Sequence, residues 1–157
     1  MKLWMKVTLI TVVFAIPAFL TGRLIWPPAP GSGIPSLALL PFFLGLSVVE
    51  ALSFGLGIAF LIYGWPVMST LANGSKRMTW AMFLCIVWLL ISWWPHDNLH
   101  RHIGLNLQGL LFIEYGFHVT LMFVGAILAL CFVRLLHPSH RGNEIRRSLS
   151  EASPEVN

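Results

Sequence analysis

Four long apolar blocks, at about residues 7–26, 37–64, 79–94 and 107–136, leave this chain few folds to choose from. A helix needs roughly 20 apolar residues to cross a hydrocarbon core of about 30 Å. Helix is also the form in which a single segment satisfies its own backbone donors and acceptors away from water. A soluble core is assembled from amphipathic pieces and has no use for such uninterrupted runs. With 57% hydrophobic and only 10% charged residues, the chain lies far from the soluble balance. The expectation is an all-α integral membrane protein, with four transmembrane helices in an up-down bundle over residues 1–136. A polar, basic tail over 137–157 follows, expected to be disordered at its end.

The boundaries of the blocks have local causes. Lys2 and Lys6 precede the first, which contains Pro17 and resembles a signal peptide but lacks a clear small-x-small cleavage site. It is read as an uncleaved first helix. The prolines and glycines between Pro27 and Pro35 cannot continue a helix and form a short loop, after which Ser36 is the expected cap of the second block. Asn73-Gly74 is a turn signal, so the sequon-like Asn73-Gly74-Ser75 is read as a turn. Pro95 and Gly104 bracket the expected short interfacial helix or loop between the third and fourth spans.

Charge sets the expected orientation. Lys2, Lys6, Lys76, Arg77, Arg134, Arg141, Arg146 and Arg147 fall on one side of a four-span layout, and only Arg23 and Arg101 on the other. The positive-inside rule then places both termini in the cytoplasm, in the cell or inner membrane. The net charge of +4 is accounted for by these flanks, which argues against nucleic acid as a partner. Trp4, Trp26, Trp65, Trp80, Trp93 and Trp94 fall at block ends, where an amphipathic ring suits the headgroup level, and Trp88 is interior. Cys85 and Cys131 lie inside spans and read as small buried residues.

Charged groups inside hydrocarbon cost at least about 2.5 kcal/mol on insertion scales, so Glu50, Glu114 and His118 call for partners. Glu114 and His118 are one turn apart on a face expected to point into the bundle, and their depth would let His118 meet Glu50. Glu50 also lies beside the ladder Ser47, Ala51, Gly55 and Ala59, whose small side chains permit close helix packing. Between the third and fourth spans, His96, Asp97, His100 and His102 crowd into ten residues. His96 and His100 would share one helix face, with Leu99 and Ile103 toward the bilayer. Three imidazoles and a carboxylate are ligands suited to Zn²⁺ or Cu²⁺. The plainer alternative is an exposed, hydrated loop whose histidines meet headgroups.

Several chemistries have no motif here. Glu114-Tyr115-Gly116-Phe117-His118 has the wrong order and spacing for a zincin, and too few carboxylates lie in the spans for a di-iron bundle. Phosphate-binding glycine loops and nucleophile elbows are not found, so no catalytic residue is assigned. A heme with His118 as an axial ligand would need a second buried histidine that the spans do not offer. The leading expectation is a His/Glu site opening to the extracytoplasmic side that binds a metal ion or small polar ligand, or moves protons or ions. The competing one is a non-catalytic membrane subunit whose buried polar residues and ladder mediate helix association. Either reading expects a homo-oligomer or a larger membrane complex within the bilayer.

Overall fold

A computed structural model of the chain describes residues 1–31 and 35–136; the expected tail from residue 137, with His137 and His140, lies outside the described residues. Helix α1 (Leu3–Ile25) runs through Pro17, and the Thr21 hydroxyl donates to the Pro17 carbonyl at 2.7 Å. Helix α2 (Leu40–Leu71) starts later than expected. Ser36 does not cap it: the Ser36 carbonyl instead accepts from the N–H groups of Leu39 and Leu40 in a preceding turn.

Nor does α2 stop at Gly64. It continues through Trp65 and Pro66 for about two more turns. The Thr70 hydroxyl donates back to the Pro66 carbonyl at 3.0 Å, one turn earlier. The helix ends where Asn73 and Gly74, with φ of 49° and 76°, reverse the chain.

Helix α3 (Lys76–Ile91) is shorter than the expected third block at its far end. The break falls at Ser92, so Trp93 and Trp94 open the next helix, α4 (Trp93–Ile103), bent 40° from α3. Pro95 sits in the first turn of α4, where a missing N–H leaves no bond unmade. Gly104, at φ 60°, terminates it as its sequence position implied. Asn106 then caps α5 (Leu107–Ile113), its side-chain oxygen accepting from the N–H groups of Gln108 and Gly109, each at 3.1 Å. A π-helical turn over Glu114–Val119 and helix α6 (Thr120–Leu136) continue the same rod.

The described residues are therefore helical, with no strand among them. Three rods, α1, α2 and Leu107–Leu136, are long and apolar enough to cross a membrane, and the bent pair of α3 and α4 is a fourth if counted as one broken span. Their main packing runs in succession: α1 on α2, α2 on α3, and α3 on α6.

Small residues explain how α2 holds a neighbour on each side. On α1, Ala15, Ala18 and Gly22 form one buried stripe; on α2, Ala51, Gly55 and Ala59 of the ladder are buried within the chain. The Thr11 carbonyl oxygen occupies the place where a Gly55 side chain would begin. Two residues on, Gly57 has Ile91 of α3 in the equivalent place. Ser53 adds a hydroxyl bond to the Leu90 carbonyl at 3.0 Å.

Tryptophans placed at block ends also build the interior. Trp94 donates its indole N–H to the Ala18 carbonyl at 3.1 Å and packs against Trp26 and Phe54, so it joins α1, α2 and α4. Trp65, Trp80 and Phe83 pack together near the opposite ends of α2 and α3, beside Met68, Met82 and Cys131. Cys85 and Cys131 are both buried and free.

Candidate metal centre

Helix α4 brings His96 and His100 onto one face, one turn apart, with ring centroids 4.6 Å from each other. Gly104 and the Asn106 cap then reverse the chain, so that the following rod climbs back past α4. This reversal delivers His118 to the same place. His96 Nε2 and His118 Nε2 lie 3.0 Å apart, and one ring nitrogen from each of His96, His100 and His118 falls within 4.8 Å of the others. His96 is nearly buried at 9% exposure, wedged against the rings of Trp93 and Phe117.

Glu114 is the fourth member. Its Oε2 lies 2.6 Å from His118 Nδ1, the contact expected of residues one turn apart. With the carboxylate as acceptor, Nδ1 of His118 carries the proton, and its Nε2 lone pair points at the cluster. His96 Nε2–H then donates to that lone pair at 3.0 Å. To ligate an ion, His96 has to move this proton to its own Nδ1. A carboxylate that fixes the tautomer of a ligating histidine is a recurring feature of metal sites. Tetrahedral Zn²⁺, with Zn–N of about 2.0–2.1 Å, separates its nitrogens by about 3.3 Å, so His96 and His118 need open by only a few tenths of an ångström.

The π-helical turn has its own support. Widening the helix frees carbonyls from their usual partners, and the Thr120 hydroxyl lies 2.8 Å from the Gly116 carbonyl and 3.0 Å from that of Phe117. The Thr120 oxygen in turn accepts from the Trp88 indole N–H at 3.1 Å, and the Trp88 ring stacks on Phe117. Trp88, the interior tryptophan of the sequence, thus braces the segment that carries Glu114 and His118. The π turn was not foreseen; Gly116 and Thr120, a helix weakener and a hydroxyl four residues apart, were its only local signals.

The remaining candidates go elsewhere. His102 leaves the cluster: its Nδ1 donates to the Pro27 carbonyl at 2.7 Å and helps tie α4 to the proline-rich loop. Asp97 pairs with Arg101 one turn on, on a different face of α4 from the histidines. Glu50 does not meet His118. Its carboxylate is buried and lies 3.8 Å from the Arg101 guanidinium. The sequence reading missed Arg101 as this partner, although Arg101 is the one arginine or lysine on α4.

Glu114 also departs from expectation. Its side chain is 54% exposed, so Glu114 stays at the surface of the chain while His118, one turn on, reaches His96. Leu99 and Ile103 are half-buried, and Ile103 packs on Gly109 of α5.

No protein family, curated protein or solved structure matches the chain. Its chemistry is therefore read from the cluster itself. Imidazole nitrogens from His96, His100 and His118 could hold a metal ion, with Glu114 orienting one of them.

Proposed function

We propose that this is a multi-pass membrane protein that binds a divalent transition-metal ion, Zn²⁺ or Cu²⁺, through His96, His100 and His118. The observation that carries the reading is the convergence of three ring nitrogens from two elements separated by a chain reversal. Hydrated surface histidines have no reason to pack their rings against one another, since each then gives up water. Imidazole is the ligand type both ions favour. Three protein ligands leave a fourth tetrahedral position for water or a small polar ligand, through which a held ion acts on something beyond the protein. The charge asymmetry of the flanks supports an extracytoplasmic position for α4, and so for the centre. Proton or ion movement along Glu114, His118 and His96 is the natural extension of the same site.

The competing reading, a subunit that uses Glu50 and its small-residue ladder to bind a partner, has less behind it. Ala51, Gly55 and Ala59 are buried within this chain, and Glu50 is engaged by Arg101. Assembly beyond one copy stays part of the proposal through the other end of the sequence: α6 presents Met122, Phe123, Leu130 and Phe132 outward.

Metal content by mass spectrometry of the detergent-purified protein tests the reading. Stoichiometric metal is expected, lost in the His96→Ala, His100→Ala, His118→Ala triple variant and kept in His102→Ala. Wild-type protein that takes up no Zn²⁺ or Cu²⁺ when supplied with either would overturn it.

A further inference from the structure

A cavity of about 440 Å³ lies between the C-terminal part of α1, the start of α2, and α4. Its polar lining includes Arg23, Arg101, Ser47, Asn98 and Glu50, and Glu50 is 6% exposed. Arg23 from α1 and Arg101 from α4 converge on α2, their guanidinium carbons 5.8 Å and 4.8 Å from the centre of the Phe43 ring. The two cations are not equally committed. Arg101 faces both Asp97 and Glu50, whereas among the described residues no carboxylate lies within ion-pair distance of Arg23. The cavity therefore holds one guanidinium that no carboxylate of the described residues neutralises.

Directly along α1 and α2 from this cavity runs an apolar groove of about 220 Å³, lined by Ala15, Ile16, Val48 and Ala51. Phe19 and Leu20 line both spaces, so the apolar groove adjoins the cavity along α1. From Arg23 down to Ile16 the drop along the helix is about 10 Å. A cationic mouth above a narrow apolar channel matches an anionic amphiphile.

We infer that the cavity and the groove together hold one membrane phospholipid, its phosphate diester between Arg23 and Arg101 and an acyl chain between α1 and α2. Arginine suits this task because its planar donors engage phosphate oxygens in pairs. Free phosphate would satisfy Arg23 but leave the groove and the Leu40 and Leu44 wall without an occupant. The site is separate from the histidine centre and stands or falls independently of it.

Native mass spectrometry of the full chain, extracted from vesicles of phosphatidylethanolamine and phosphatidylglycerol, tests the inference. One retained phospholipid per chain is expected. Arg23→Gln, at an exposed position, should lower retention on the order of tenfold, the loss of a charge-assisted contact. Leu20→Trp, which fills the junction with the groove, should lower it as well. Lys6→Gln, at the other end of α1, should leave it unchanged, and circular dichroism should show all three variants folded. Diacylglycerol, which lacks the phosphate, should not be retained. Retention unaffected by Arg23→Gln, an equal loss in Lys6→Gln, or equal retention of diacylglycerol would each overturn the assignment. Displacement of the lipid by millimolar inorganic phosphate would overturn it in favour of a free-anion site.

Discussion

His96 Nε2 and His118 Nε2 lie 3.0 Å apart although the residues are 22 positions apart in sequence, and the contact joins α4 to the π-helical turn of the last rod. Neither helix alone makes a site. Their union brings histidines distant in sequence into one cluster of ring nitrogens that could hold a metal ion.

Glu114 orients His118 without joining the ligand set, so its removal is expected to weaken metal binding without abolishing it. Glu114→Gln keeps the shape and an acceptor oxygen but loses the charge. Its metal affinity should fall roughly 10- to 100-fold, with stoichiometry preserved at saturating metal. Isothermal titration in detergent would read this directly; an unchanged affinity would show that the carboxylate does not act through His118.

Metal and protons compete for the same imidazole nitrogens. Ligation requires the neutral ring, so affinity should be full at the alkaline end of the range and fall as pH is lowered, with protons released on binding. A titration of apparent affinity between pH 5 and 8 checks the sign. Affinity flat across this interval would be incompatible with histidine ligands.

Gly55 has no room for a side chain, because the Thr11 carbonyl fills the space and α1 backbone cannot yield cheaply. Gly55→Val should separate α1 from α2 and cost about 1–3 kcal/mol, read as a lower midpoint of thermal unfolding in detergent. Gly45 has nothing near the equivalent position and serves as the control, with Gly45→Ala expected to unfold within experimental error of the parent.

Arg101 is the cation facing buried Glu50, and it also pairs with Asp97. Arg101→Ala removes the cation shared by Asp97 and Glu50 and should cost about 1–3 kcal/mol. Adding Glu50→Gln relieves the crowding of the two carboxyls left without it, so the double variant should recover part of the loss. A double variant as unstable as the single one would mean that Arg101 stabilises the fold through packing alone.

Much of the architecture could be read from the chain itself, because its causes are local. Apolar runs are helical wherever a solvent without hydrogen-bonding groups is the expected surrounding, and Gly104 and the Asn73-Gly74 turn end helices through their own backbone preferences. The Glu114–His118 bond follows from helical spacing alone. Boundaries were harder where a residue has two uses. Pro66 and Trp65 read as a span end, yet the helix passes through them, and Trp65 packs on Trp80 of α3.

By itself, the sequence determined an all-helical chain with apolar rods, a short histidine-bearing helix and a one-turn Glu–His pair. Tertiary structure decided which charges meet. It turned His96 and His100 toward His118, sent His102 to the Pro27 carbonyl, and gave Glu50 to Arg101 rather than to an imidazole. The physical reason is that partner choice depends on the direction in which α4 leaves the bend at Ser92, and on the extra width of the π turn. Both are set by packing against Trp94, Phe117 and Trp88 from distant parts of the chain.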